Sequence, residues 1–409
     1  MSESHPVRRI LLVDCDMFFV QVARLEDPEG AGREELLIVG GSPTGRGVVT
    51  SASYACRAYG VRSAMPTGEA LRLCPDAVVV GVPRGAVSRR SNEVREALES
   101  LSPVVQAASV DEFYLDLTGT ERLLRDESLE ATAWRIREQV LERTGIGVSL
   151  GGGTNRLIAK LATRPAKPGG VVVVPPGEEE AFVGGLELRS LPGVGPSLLA
   201  TLARKGLVTV AQARAVEPEW LVRWLGEGRA EWLQRRMRGQ DSAGVHHGEV
   251  RKSISSERTF SRDIDDDEEL ARRLLKLTVS VTGTLRDRGL LARTVTVKIR
   301  DHDFRTRQRS HTVPEPVESD RVVFPVARQM LADLRRQRRT GARLLGIGVS
   351  NLHEGPPPRQ MVLFEGGEPR ETEQDRALNR AVDGLRSRFG RDVVLPGGIV
   401  RPPGPDREG

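Results

Sequence analysis

Two apolar runs in this chain end in acid, and that constrains what it can fold into more than any other feature. Arg9 to Val13 reads as a buried strand ending in Asp14-Cys15-Asp16, while Val104 to Ala108 and Phe113 to Leu117 flank Ser109-Val110-Asp111-Glu112. The last run alternates Phe113, Leu115 and Leu117 against Tyr114, Asp116 and Thr118, as a half-buried strand does. If these strands are neighbours in one sheet, three or more carboxylates meet at a single edge. Crowded carboxylates repel, so the arrangement is costly unless cations sit between them. Hard divalent ions such as Mg²⁺ take oxygen ligands from one or two carboxylates and complete their shell with water and phosphate oxygens. Two such ions about 3.5–4 Å apart stabilise the attacking and leaving oxygens of an in-line displacement at phosphorus. Either acidic pair taken alone is more often plain surface charge.

At 409 residues the chain exceeds one ordinary core and implies two to four domains. With 38% apolar and 29% charged residues it reads as soluble and globular. No apolar run approaches the roughly 20 residues that span a bilayer, and Met1 to Ile10 is no secretory core. Cys15, Cys56 and Cys74 form no Cys-x-x-Cys pair, which argues against a disulfide framework or a zinc site. A cytoplasmic protein is expected.

The first segment reads as an α+β core, with further strands at Leu36–Val39, Val78–Val82, Gly147–Leu150 and Val171–Val174. Ser128 suits the N-cap of a helix through Arg143, with Leu129, Ile136 and Val140 on one face and Gly145 as its stop. Pro175-Pro176-Gly177 breaks the pattern, a helical stretch runs from Glu178 to about Gly239, and Gln240 to Gly248 reads as a polar linker. From Glu249 to Leu352 a second α+β pattern follows: strand, helix Glu268–Arg286, two strands, helix Pro325–Arg336, strand. In the tail, Leu378, Ala381, Val382, Leu385 and Phe389 trace one helical face within Glu371–Phe389. Between Arg251 and Leu345 stand 22 Lys or Arg against 14 Asp or Glu, a surplus greater than the +5 of the whole chain. A polyanion partner favours such clustering, and a solvated Arg-rich surface is the plainer explanation.

Three further motifs could handle phosphate. Tyr54 and Arg57, three apart in the Ser53–Pro66 stretch, share a helical face where a hydroxyl and a guanidinium suit phosphate oxygens. Pro165-Ala166-Lys167-Pro168-Gly169-Gly170 holds one of only six lysines in a turn fixed by Pro and Gly. Leu191-Pro192-Gly193-Val194-Gly195-Pro196-Ser197, between two helical patterns, leaves backbone N–H groups at the second helix's start. Those groups bind a phosphate without reading a base.

In this order the motifs resemble those of the Y-family DNA polymerases, most closely the DinB-type, polymerase IV-like branch, from about Ile10 to Phe364. The most specific pieces are Val13–Phe19, Tyr54–Pro66 and Ser109–Asp116. The resemblance implies an α+β multidomain right-hand polymerase: a palm (1–19 and 84–174), small fingers (20–83), a helical thumb of helix-hairpin-helix type (175–244), a linker (245–255), an α+β little finger (256–352) and a flexible tail (353–409). It implies two Mg²⁺ ions per active site held by Asp14, Asp111 and Glu112, the catalytic carboxylates, with the Cys15 carbonyl as a further ligand. Asp16 matches an acidic position outside the metal set. Phe19 matches the steric gate that selects deoxynucleotides; Phe18, Ser51, Tyr54, Arg57 and Lys167 match nucleotide contacts, and Gly193, Val194 and Gly195 match a DNA contact. Gln360-Met361-Val362-Leu363-Phe364 resembles the peptide that docks bacterial polymerases on the sliding clamp, and an apolar strand folding back on the protein is its alternative.

The implied activity is low-fidelity, template-directed synthesis from dNTPs on primer–template DNA, by a monomer tolerant of damaged templates. Ala23, where the family usually has an acid, and Pro83–Ser88, which lacks an aromatic, depart from its pattern and bear on packing between fingers and palm. An inactive scaffold that binds DNA or clamp is the alternative, but it would be expected to lose the acidic residues. A nucleotidyl cyclase or a two-metal nuclease explains the carboxylates but not the Gly193–Gly195 element, the basic second domain and the tail together.

Overall fold

A computed structural model describes residues 7–122, 127–248, 251–355, 371–390 and 393–399, in two compact units, Met1–Glu249 and Val250–Gly409. The first unit opens with strand β1 (Ile10–Cys15) and helix α1 (Phe18–Glu26). A small region follows: β2 (Leu37–Gly40), β3 (Val49–Ala52), α2 (Tyr54–Ala58), α3 (Thr67–Leu73) and β4 (Val78–Val80), its sheet ordered β3-β2-β4. Next come α4 (Arg84–Glu99), β5 (Val104–Ala107), β6 (Glu112–Asp116), α5 (Leu129–Thr144), β7 (Val148–Gly153), α6 (Arg156–Ala166) and β8 (Val171–Val173).

These strands form a sheet ordered β5-β6-β1-β7-β8, with β1 antiparallel to both neighbours. Because helices cover both faces, β1 is apolar from Ile10 to Val13 rather than alternating. Leu11 and Val13 join Phe113, Leu115 and Leu150 in a core with Val94 and Leu98 of α4 and Ile136 and Val140 of α5. On the other face Ile10, Leu12 and Tyr114 pack against Ala159 of α6 and Val245. The segment read as a polar linker is therefore anchored here, and Arg156 Nη1 also donates to the Gly244 carbonyl at 3.2 Å. Local signals set α5: the Ser128 hydroxyl accepts the Ala131 N–H at 3.1 Å, and Gly145 at φ 69° stops the helix.

Helices α7 (Glu179–Gly184), α8 (Pro196–Ala203), α9 (Val210–Arg214), α10 (Pro218–Leu225) and α11 (Glu227–Met237) complete the unit around Leu188, Leu202, Val210, Leu221 and Leu233. The element before Pro192 is not the α-helix expected but a 3₁₀ turn, Leu188–Ser190. Pro192 lacks the N–H to prolong it, and Glu187 just ahead is bridged to Thr209.

The second unit runs β9 (Ser253–Ile264), α12 (Asp267–Arg286), β10 (Leu290–Asp301), β11 (Thr306–Val317), α13 (Asp320–Gln337), β12 (Ala342–Glu354) and α14 (Glu373–Phe389). Its antiparallel sheet, ordered β11-β10-β12-β9, packs one face on α12 and α13. The opposite face carries hydroxyl and basic groups: Thr294 bonds Thr312 at 2.9 Å, Thr296 bonds Ser310 at 2.8 Å, and Arg300 donates to Thr306 at 2.8 Å.

One expectation fails in this unit, the start of its second helix, while the helix expected over Glu371–Phe389 is present as α14. Helix α13 starts at Asp320 rather than Pro325, because Ser319 accepts the Arg321 N–H at 3.2 Å and caps a turn that buries Val322 and Val323. Helix α14 turns its apolar stripe outward, leaving Leu378, Leu385 and Phe389 at 47%, 44% and 69% exposure while Asp375 and Asn379 are buried. Its polar side is held inward by the Arg286–Asp383 pair at 2.6 Å and the Arg321–Asp375 pair at 2.9 Å. Gln360–Phe364 lies outside the described residues. Among the described residues no helix is long and apolar enough to cross a membrane.

Gly151 lets α6 lie directly on β7, since a Cβ there would meet the Ala159 carbonyl oxygen at 2.1 Å and the Thr163 nitrogen at 2.3 Å, both backbone. Gly151→Ala is expected to lower stability by about 1–3 kcal/mol, the usual range for overpacking, read as a shift of the urea midpoint.

Candidate active site

The register of the first sheet builds the site. Asp14 and Glu112 are Cα partners across β1 and β6, and the Cys15 N–H donates to the Asp111 carbonyl at 2.9 Å. Asp111 thus sits in the turn just ahead of β6, where the Ser109 hydroxyl bonds its carboxylate at 2.5 Å and accepts the Glu112 N–H at 3.0 Å. Three carboxylates share one sheet edge, as the sequence pattern suggested.

Each carboxylate already has a partner within the chain. Lys167 Nζ lies 2.5 Å from Asp14 Oδ1. Lys160 Nζ lies 2.7 and 2.6 Å from the two oxygens of Glu112. Burial pushes the Asp14 carboxyl up to about 6, with Lys167 opposing the rise and Glu112 and Asp111 adding to it. Among the described residues, no three acidic, His or Cys side chains stand close enough to form a ready-made metal cage. A hard divalent ion takes oxygen ligands from carboxylates and completes its shell with water and phosphate oxygens. The hard oxygen donors of Asp14, Asp111 and Glu112, together with backbone carbonyls, fit such an ion.

Asp16 plays a different part. It is 5% exposed, and its carboxylate accepts the Tyr54 hydroxyl at 2.8 Å, the Ser149 hydroxyl at 2.8 and 2.9 Å, and the Gly169 N–H at 2.8 Å. One buried acid thereby ties α2 and the turn after Lys167 to the end of β1. Burial, then the Asp16 contact, pushes the Tyr54 phenol well above its ordinary range. Arg57 stacks over the Tyr54 ring at 5.1 Å and donates from Nε to the Ala52 carbonyl at 3.0 Å.

The other expected residues are spread more widely. The Phe18 ring is 1% exposed in the core of the larger sheet, which leaves only its backbone to face a ligand. Phe19 meets it edge-on at 5.8 Å and is only partly buried. Ser51 is 5% exposed on β3, and Ala23 is buried with Ala31, Leu37 and Val39. Gly193, Val194 and Gly195 lie in the helical region, apart from the carboxylates. Gly193 adopts φ 92° with the Trp232 ring where a Cβ would stand, and Val194 is buried. Gly195 precedes α8, whose N-terminus no side chain caps.

Lys160 escaped sequence reasoning. A signal was present: it stands seven residues before Lys167, in a chain where lysine is scarce.

Comparison with solved structures defines the fold. A Y-family DNA polymerase chimera, Dbh-Dpo4(243-245)-Dbh, superposes with a TM-score of 0.76 at 23% identity, covering 85% of this chain and 100% of its own. The fold is that of a Y-family DNA polymerase. More particularly, the chain belongs to the impB/mucB/samB family, whose model matches residues 13–164 and whose C-terminal domain matches 251–363. DNA polymerase IV of Caulobacter vibrioides is 36% identical over 391 residues, 95% of this chain and 93% of that one. DNA polymerase IV of Alkalilimnicola ehrlichii is 38% identical over 360 residues, 87% of this chain and 99% of that one. The resemblance read from the motifs extends to the whole fold.

Asp16→Ala would take the acceptor from the buried Ser149 hydroxyl and the partly buried Tyr54 hydroxyl, while the Gly169 N–H keeps Ser149 Oγ at 2.8 Å. The substitution is expected to lower stability by about 2–4 kcal/mol, since each buried donor left unpaired costs about 1–3 kcal/mol. Chemical denaturation checks this, with Asp16→Asn expected to lose less.

Proposed function

We propose that this protein is a DNA-directed DNA polymerase that extends a primer 3′-hydroxyl with dNTPs on a DNA template, at low fidelity and past damaged bases. The pairing of Asp14 with Glu112 at one sheet edge, with Asp111 beside them, is the observation that carries the reading. Converging carboxylates speak against an inactive scaffold.

The primer oxygen attacks the α-phosphorus of the incoming nucleotide, and pyrophosphate leaves. Asp14, Asp111, Glu112 and the Cys15 carbonyl would hold two Mg²⁺ ions. Bound there, the ions supply a lowered hydroxyl pKa and neutralise charge on the phosphates. Lys167, Tyr54 and Arg57 surround the triphosphate with a cation, a hydroxyl and a guanidinium, with Ser51 and the Phe18 backbone nearby in sequence to them or to the gate. Asp16 accepts the Tyr54 hydroxyl proton, so Tyr54 would have to turn that O–H from Asp16 to donate to a phosphate oxygen. Phe19, on the first turn of α1, is the bulk that excludes a ribose 2′-hydroxyl.

Residues 1–19 and 84–174 serve as palm, 20–83 as fingers, 175–244 as thumb and 256–352 as little finger, joined by 245–255. The backbone N–H groups ahead of α8 and the hydroxyl and basic face of the second sheet suit duplex phosphates, which position DNA without reading its sequence. Gln360–Phe364 would tether the monomer to a sliding clamp in the cytoplasm, raising its concentration at primer ends.

Primer extension with Mg²⁺ and dNTPs tests the reading. The wild type should extend a primer only on a template. Asp111→Ala with Glu112→Ala should lose at least a thousandfold in rate while keeping DNA affinity, on the order of what loss of a transition-state charge stabiliser costs. No extension by a folded, DNA-binding wild type would contradict it.

A further inference from the structure

The lysines in the site carry an inference about metal loading, resting on the proposal that Glu112 is a metal ligand. The Lys160 ammonium spans both Glu112 oxygens, at 2.7 and 2.6 Å. An ion bridging the same oxygens must displace it, so ammonium and metal compete for one acceptor group.

The choice of lysine is informative in this chain. Of 61 basic side chains only six are Lys. The fully buried Asp301 is met by Arg307 at 3.0 Å and Arg338 at 2.8 Å and the partly buried Asp383 by Arg286 at 2.6 Å, while outside the site Lys298 pairs with the exposed Glu257 at 2.5 Å. Yet both Asp14 and Glu112 are met by Lys. An arginine fork grips a carboxylate with two parallel hydrogen bonds in a fixed plane. An ammonium is a point charge on a flexible four-carbon stem, able to withdraw without breaking a bidentate pair. Lys160 is also partly exposed, at 36%, so it has room to leave.

We propose that Lys160 is a positioning residue: it holds the Glu112 carboxylate at the sheet edge in the metal-free protein and yields to the incoming divalent ion. Its grip sets the affinity of the loaded site. Lysine rather than arginine at this position keeps the carboxylate neutralised yet available.

Mn²⁺ titration followed by the EPR signal of the free ion tests this on the full chain, bound to a dideoxy-terminated primer–template and the matching dNTP. Lys160→Met should bind Mn²⁺ roughly three- to fivefold tighter, the scale expected of a partly exposed ion pair. Lys160→Arg should bind it more weakly than wild type. Thermal unfolding in EDTA verifies that both variants fold, and a merely structural lysine would not shift affinity in opposite directions. Equal affinity in all three proteins, or a loss in both variants, overturns the proposal. Glu112→Gln separates the two levels. If it weakens Mn²⁺ binding while the Lys160 variants match wild type, the role of Lys160 alone fails. If it leaves Mn²⁺ binding unchanged, the assignment of Glu112 as a ligand fails and the proposal falls with it.

Discussion

Asp14 and Glu112 face each other across β1 and β6, and Asp111 stands one residue away, so pairing of the central strands itself gathers three negative charges. Two unit charges 4 Å apart at an effective dielectric of 20 interact by about 4 kcal/mol. A typical hydrogen bond contributes about 1 kcal/mol. Hydrogen bonds alone do not balance such an edge, and the fold brings cations to it. Helix α6 supplies Lys160 and, at its C-terminal cap, Lys167. Close packing of α6 on the sheet, which Gly151 permits, is therefore part of the site's electrostatics as well as its architecture.

The residues around the edge divide into those that face the chemistry and those that fix them. Asp16 lies two residues beyond Asp14 and belongs to the second group. Its carboxylate gathers Tyr54, Ser149 and Gly169 from elements far apart in the chain. Tyr54 of the small sheet region is thereby anchored beside the end of the strand that carries Asp14. Asp14 stands near the end of β1, whereas Asp16 stands in the turn just after it, where its carboxylate is taken up by hydrogen bonds.

What could be read from the sequence was local. The strand that runs into Asp14, the strand that starts at Glu112, the Ser128 cap and the Gly145 stop depend on neighbouring residues, and they appear close to where those signals place them. What could not be read was tertiary. The outward apolar stripe of α14 follows from Arg286 and Arg321, which lie in other elements and draw the helix's polar side inward. Helix α13 begins ahead of Pro325 because burial of Val322 and Val323 rewards the extra turn. Lys160 meets Glu112 across 48 positions of sequence, a contact no periodicity announces. The clamp-like motif falls outside the described residues.

The carboxylate edge of β1 and β6 is proposed to be a metal site held in readiness by lysine. Anomalous scattering from Mn²⁺ in crystals of the protein with primer–template and a non-hydrolysable dNTP addresses it most directly. The account predicts an anomalous peak bounded by Asp14, Asp111 and Glu112, with Lys160 Nζ withdrawn from Glu112. A nucleotide-bound structure with no peak at this edge, or with Lys160 still spanning both Glu112 oxygens beside the ion, would contradict it.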